Sequence, residues 1–239
     1  MRRFSRRLMS TITAAVTLFL VVTACHVNDY DTGDSKYSYL RADFVEARTN
    51  SEGLICKAVT DDGDSLFLSP SLKTSWGTRP DTLYRALLYY NKGETNASLP
   101  SKSLQAFSVT GVGASQVYVL RPQNQMASVV IADDGVGFQS AWQSANKRYV
   151  NMALVLKSGK AENVDNKHIL GVVRDSVVTN QQGHRTYFYR LYHLQNGVPA
   201  YYSSTIYASI PMSFMRAGDT LQLTIRTSQK GIVVRKFSF

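Results

Sequence analysis

From residue 36 onward, apolar and polar positions alternate with a short period. Over residues 39–47, Leu40, Ala42 and Phe44 fall on one side and Arg41, Asp43 and Val45 on the other, the two-residue period of a half-buried strand. The pattern predicts further strands over 54–60 and 65–69, separated by Asp61-Asp62-Gly63-Asp64. The Asp-Gly pair marks a hairpin turn, because glycine accepts positive φ without a Cβ clash. Residues 70–81 read as a loop rich in Ser, Pro, Thr and Gly that carries Trp76. Over 82–90 the leucines would suit a helix, but the tyrosine-rich end and the Asn91-Lys92-Gly93 turn favour a strand. Two short strands follow over 104–109 and 116–120. Five or so short strands in about 85 residues suit a small closed or nearly closed barrel, since closure removes exposed edges.

Arg121-Pro122-Gln123-Asn124-Gln125 breaks the composition and sets the expected domain boundary. After Ala141-Trp142 comes a strong strand over 149–157, in which Val150, Met152, Leu154 and Leu156 share one face. Strands are then predicted over 168–174, 186–193, 200–210, 219–226 and 232–239. The turns between them carry Gly159, Gly183, Asn196-Gly197 and Gly231. Short strands at this spacing, with no helical stretch of useful length, indicate an antiparallel β-sandwich. The predicted chain is all-β, with a barrel over 36–121 and a sandwich over 122–239.

The start of the chain has a different pattern. An apolar run over 8–24 follows Arg2, Arg3, Arg6 and Arg7, with no acidic residue before it. That is the layout of a secretory signal. At its end, Val22-Thr23-Ala24-Cys25 resembles the bacterial lipobox, which implies that the Cys25 thiol takes a diacylglycerol and that the mature chain begins there. A short membrane helix with an incidental cysteine is the alternative. Spanning needs roughly 20 apolar residues, and Ser10, Thr11, Thr13 and Thr17 dilute this run. Each buried methylene of an anchor contributes about 0.8 kcal/mol, so two or more chains hold a protein firmly on a membrane. Residues 25–35 are polar, acidic and without an apolar period, which reads as a flexible stalk. Asp29, Asp31 and Asp34 are similar to the acidic export signals of surface lipoproteins of Bacteroidetes, and a plain solvated linker is the other reading. The expected location is the outer membrane, facing the periplasm or the cell surface.

Charge adds little once the leader is set aside. Residues 1–24 take four arginines with them, so the formal charge falls from +10 to +6 and 215 residues remain. The excess is scattered, without the clustered Lys/Arg stripe that nucleic acid requires. With Cys25 lipidated, Cys56 has no partner for a disulfide and reads as a small buried apolar residue.

A family likeness rests on the order of several short elements. These are Ser140-Ala141-Trp142, Tyr149-Val150-Asn151-Met152, Lys167-His168-Ile169-Leu170, Tyr192-His193 with Asn196-Gly197, Ser209-Ile210-Pro211-Met212 and Asp219-Thr220-Leu221. Together they resemble the carboxy-terminal β-sandwich of the NigD-like family of Bacteroidetes lipoproteins. Upstream, Asp43-Phe44-Val45 and the Asp61-Asp62-Gly63-Asp64 hairpin are similar to that family's amino-terminal OB-type barrel. The resemblance implies an OB-like barrel over 36–121 and at most a bacteriocin-immunity role. It brings no catalytic residues with it.

Candidate chemistry is sparse. His168, His184 and His193 could supply a metal site or a base, but no HExxH or comparable spacing accompanies them, and structural or surface roles are favoured. No Gly-x-Ser-x-Gly elbow appears. Asp133-Asp134 before Gly135 reads as a turn rather than half of a glycosidase pair. Asp61 to Asp64 lack the alternating ligands of a calcium loop. No enzyme, cofactor or metal is therefore expected. The better clue is aromatic: Tyr187, Tyr189, Tyr192, Tyr201, Tyr202 and Tyr207 fall in two adjacent predicted strands, and only one face of each can point inward. Exposed tyrosines anchor protein contacts or stack on sugars, while cross-strand pairing is the competing role. The expected function is a non-enzymatic, lipid-anchored envelope protein that binds a protein partner. A surface glycan-binding or adhesive module is the alternative, and nucleic acid is not an expected partner.

Overall fold

A computed structural model describes residues 40–91, 103–114, 117–119, 133–160 and 166–239. The signal over 1–24, Cys25, the stalk over 25–35 and the expected boundary at 121–125 lie outside the described residues. Arg41–Phe239 is one compact unit and is described by itself. Among the described residues there is no helix, and the fold is all-β.

The first sheet contains β1 (Leu40–Thr49), β2 (Ile55–Thr60), β3 (Ser65–Leu72), β4 (Leu83–Asn91), β5 (Ser103–Leu104) and β6 (Ala106–Gly111). Its order is β5-β3-β2-β1-β4-β6, so β5 and β6 stand at opposite edges. Only Gln105 separates them in sequence. One residue reaches no more than ~3.6 Å, so the two edges must lie side by side and the sheet curls into a small OB-like barrel. The β2–β3 turn forms at the Asp-Gly pair, with Gly63 at φ 93° and the Thr60 N–H donating to the Asp64 carbonyl at 2.9 Å.

The barrel core holds Val45, Ala47, Ile55, Ala58, Ala86, Leu88 and Tyr90. This reverses the faces expected for β1. Val45 and Ala47 point inward, while Phe44 turns away to meet Trp142 and Tyr207. Leu40 and Ala42, expected on the buried side, are exposed. The outer face is itself covered at Phe44 and Glu46, so alternation alone does not say which face is inside. Cys56, expected to be buried, is half-buried, with Sγ 3.6 Å from the Arg48 carbonyl.

The remaining strands form two sheets. One has the order β7-β13-β10-β9, from β7 (Gly113–Ala114), β9 (Gly137–Gln143), β10 (Tyr149–Ser158) and β13 (Tyr202–Pro211). The other has the order β15-β14-β12-β11-β8, from β8 (Val117–Val119), β11 (Ile169–Thr179), β12 (Arg185–Leu194), β14 (Thr220–Thr227) and β15 (Gly231–Ser238). Their inner faces share one core, to which β10 gives Val150, Met152, Leu154 and Leu156 and β14 gives Leu221, Leu223 and Ile225. Each such fully buried side chain contributes about 1.5–3 kcal/mol. Hairpins pair antiparallel, but β12 and β14 run parallel, because the chain crosses to the opposite sheet as β13 before it returns.

The stretch 116–120 was expected in the barrel, but β8 pairs with β11 and β7 pairs with β13. The curled barrel has no free edge left to accept them, whereas the sandwich sheets do. β9, which the alternation missed, pairs with β10 through a bulge at Gln139.

Candidate functional site

The two-residue period of β12 decides three of the six candidate tyrosines. Tyr187 and Tyr189 point into the sandwich core at 4% and 2% exposure. They meet edge to face at 6.2 Å, and burial pushes the Tyr189 hydroxyl up to about 12. Tyr192 points the other way but is 2% exposed. It lies across Gly171, its cross-strand neighbour, so closely that a Cβ there would sit 2.4 Å from the ring. These three tyrosines are packing residues, and the expected six-tyrosine surface does not exist.

Tyr201, Tyr202 and Tyr207 do reach solvent, at 72%, 53% and 38% exposure. Tyr207 lies on the face of β13 that turns away from the core. Register places Ala153, Val155 and Lys157 of β10 beside Tyr207, Thr205 and Ser203 of β13. Gly137 and Ser140 of β9 continue these rows. The floor is low because its side chains are small, and at Gly137 a Cβ would come within 2.7 Å of Val155. Gln139 Nε2 donates to Thr205 Oγ1 at 3.3 Å across this floor.

Aromatic rings stand at both ends. Tyr201, just ahead of β13, packs over Gly159. At the other end Tyr207 and Trp142 each meet Phe44 edge to face at 5.5 Å. Tyr201 and Tyr207 are six positions apart, roughly 20 Å along extended chain. Beside the floor opens a cavity of about 310 Å³, with Gln139, Lys157, Gln195, Ser203 and Gln229 among its lining residues.

Beyond Tyr207 the same face is covered by the barrel, and the junction is polar. Arg85 Nη1 and Nη2 donate to Asp61 Oδ1 and Oδ2 at 2.7 and 2.6 Å. Its Nη2 also donates to Asn151 Oδ1 at 3.0 Å and its Nε to Ser209 Oγ at 3.2 Å. Ser209 Oγ donates to Asn151 Oδ1 at 2.7 Å, and Asn151 Nδ2 to Asp61 Oδ2 at 3.2 Å. The guanidinium lies 4.0 Å from the centre of the Tyr149 ring. The Tyr149 hydroxyl and Arg148 Nη1 both donate to the Glu46 carboxylate at 2.8 Å. Burial, reinforced by that bond to Glu46, raises the Tyr149 hydroxyl to about 12. Every charge here is spent on holding barrel and sandwich together. Sequence reasoning passed over these residues. The available signal was a polar residue set inside the apolar run of each of two strands, Arg85 in β4 and Asn151 in β10.

Of the three histidines, two come together. His193 Nδ1 lies 3.2 Å from the Asp134 carbonyl, which can only accept, so Nδ1 carries the proton. His193 Nε2 therefore accepts from His168 Nδ1 at 3.0 Å. His184 sits apart in the β11–β12 turn, held by its N–H to Asn180 Oδ1. Among the described residues no group of three or more His, Cys, Asp or Glu could hold a metal ion.

No protein-family model matches the sequence, and no curated protein matches it. Solved structures do match the fold. A NigD-like immunity protein from Bacteroides caccae superposes at TM-score 0.62 with 20% identity, over 83% of this chain and 96% of that one. A protein described as toxin-related, from Parabacteroides distasonis, gives 0.59 with 15% identity, over 84% and 93%. A protein described as a lipoprotein, from Bacteroides fragilis, gives 0.53 with 10% identity, over 83% and 96%. At these identities the likeness is one of fold, and it spans the OB-like barrel and the β-sandwich together.

Proposed function

We propose that this chain is a non-enzymatic, lipid-anchored envelope protein that binds a protein partner in an immunity-like role. The observation that carries the reading is the solvent-facing side of β13 and β10, where Tyr201 and Tyr207 stand at the ends of a floor of small side chains and Tyr202 is exposed nearby. Rigid aromatic side chains beside a low floor give a partner large contact area at small entropic cost. The Arg85 junction supports a binding role over catalysis, since its polar atoms are bonded to one another and not offered to a substrate. The likeness to an immunity protein and to a toxin-related protein favours a toxin as the partner. The lipobox-like Val22-Thr23-Ala24-Cys25 and the likeness to a described lipoprotein favour anchoring in the outer membrane.

The test is survival. Cells lacking this gene are challenged with toxin-bearing supernatants of neighbouring strains. The deletion should increase killing, wild type should restore survival, and Tyr201→Ala/Tyr202→Ala or Cys25→Ala should not. If the deletion strain survives as well as its parent, the immunity role is wrong.

A glycan is the second reading, favoured by the amide and hydroxyl groups of Gln139, Gln195, Ser203 and Gln229 around the 310 Å³ cavity. Glycan-array binding that is lost in Tyr201→Ala, with toxin survival unchanged, would put this reading first.

A further inference from the structure

At the Tyr149 and Pro211 ends of β10 and β13, the β9–β10 turn and the β13–β14 loop enclose a second groove of about 440 Å³. Its apolar lining is the half-buried Met215 and Phe239 over the buried Met212, and Lys147, Arg148 and Arg216 line it as well. The volume is within the ~300–1,000 Å³ range of ligand pockets. Methionine floors adapt to apolar side chains of different shapes.

Two of the three cations of the groove, Lys147 and Arg216, are not neutralised from within; Arg148 is already paired with Glu46. Asp219 is the acidic group of the β13–β14 loop, and its carboxylate already accepts from Arg185 Nη2 at 2.6 Å and from the N–H groups of Arg185 and Arg216 at 2.9 and 3.1 Å. Those bonds, the Arg185 side chain first, hold its pKa down at about 2. Glu46 is engaged by Arg148 and Tyr149. Among the described residues neither the Lys147 ammonium nor the Arg216 guanidinium forms an ion pair. Both are exposed.

Both walls are pinned before anything binds. Lys147 is held at φ 57°, a conformation that costs a lysine energy. Its N–H donates to the Ser144 carbonyl at 2.9 Å, the Arg148 N–H to Asn146 Oδ1 at 3.0 Å and the Asn146 N–H to the Asp61 carbonyl at 3.0 Å. The Met212 N–H ties the second wall to the first through the Arg148 carbonyl at 2.7 Å, and the Gly218 N–H closes on the Phe239 carbonyl at 2.9 Å. Such preorganisation lowers the entropic cost of binding.

We propose that this groove receives an acidic segment of the protein partner, with an apolar side chain on Met215 and Phe239 and flanking carboxylates on Lys147 and Arg216. The inference rests on the protein-partner reading. A free anion would leave the apolar floor unused, and a neutral apolar segment would leave the cations unpaired.

The test is a fluorescence-anisotropy titration of the full chain in detergent with two rhodamine-labelled pentapeptides. One is Glu-Leu-Glu-Phe-Asp, and the other carries Gln and Asn in place of the acids. The acidic peptide should bind at least about tenfold more tightly than the neutral one. Lys147→Gln/Arg216→Gln should remove that preference, as should raising salt from about 0.05 to 0.3 M, which shortens the screening length. Arg226→Gln, a cation paired with Asp133 elsewhere, should bind as wild type. Met215→Glu, which places a like charge on the floor, is the second variant and should also abolish binding.

Equal binding of the two peptides, no saturable binding, or unchanged affinity in the double variant overturns the proposal. So does a dimer that the double variant dissociates, since the occupant would then be a second copy. Toxin survival that is unaffected by Lys147→Gln/Arg216→Gln sinks the groove and leaves the partner reading intact. A deletion without effect on survival removes the immunity role alone, because the peptide titration is read on the purified chain.

Discussion

A single proton assignment at His193 links a hydrogen bond to the pH dependence of stability. Because His193 Nδ1 donates to the Asp134 carbonyl, its Nε2 must stay unprotonated to accept from His168. Burial, the largest influence, and the neighbouring His168 ring lower the pKa of His193, and the bond to Asp134 offsets this only in part. The unfolded chain releases this proton near the ordinary histidine value of about 6.5, so between that value and the lower folded one the unfolded state binds more protons. Stability is therefore full above about pH 6.5 and falls as pH drops through the window below it. The urea midpoint of wild type should be lower at pH 5.5 than at pH 7.5, and His193→Gln should flatten that difference. An equal slope in the variant would locate the acid sensitivity elsewhere. The sequence shows His168 and His193 as two separated strand histidines and predicts structural roles for them. Their contact comes from the pairing of β11 with β12, which no local pattern encodes.

Strand existence was legible because burial enforces a period, and strand faces were less so. In β10 the outer face is mostly small, so Val150, Met152, Leu154 and Leu156 stand out as the core row. In β1 both faces are covered, one by the barrel core and the other by Phe44 and Glu46 against the sandwich, and the alternation carries no sign. β12 hides its faces in the same way, since tyrosines occupy both: Tyr187 and Tyr189 fill the core and Tyr192 fills the space over Gly171. That last pair makes a test at the level of the hairpin. Gly171→Ala would put a methyl 2.4 Å from a ring that is 2% exposed, and the ring must move. Such overpacking costs about 1–3 kcal/mol. In a Tyr192→Leu background the same change should cost nothing, or stabilise by roughly 0.5–1 kcal/mol, because alanine orders a strand better than glycine. A double-mutant cycle by urea unfolding reads the coupling. Additive costs would mean that the ring is not what excludes a side chain at Gly171.

At the scale of the molecule, two hydrophobic cores are joined by one polar junction, and its centre is Arg85. The barrel core and the sandwich core are built from separate sets of residues. Between them lie Arg85 with Asp61, Asn151 and Ser209, the Glu46 pairings, and Phe44 against Trp142 and Tyr207. The barrel and the sandwich could be inferred separately from strand spacing, but not this joint, because Arg85 and Ser209 are 124 positions apart. Hydrophobic burial stabilises each core without reference to the other, so the junction sets whether they melt together. Removing one partner of a buried, hydrogen-bonded ion pair costs about 3–5 kcal/mol, because the other charge is left without its counter-charge. Arg85→Met should therefore lower the melting temperature and split the calorimetric transition into two, one for each core. Arg85→Met/Asp61→Asn, which removes both charges, should recover part of the loss without restoring a single transition. If Arg85→Met still melts in one step, with equal calorimetric and van't Hoff enthalpies, then the aromatic contact at Phe44 and the Glu46 pairings are enough to bind the two cores into one cooperative unit.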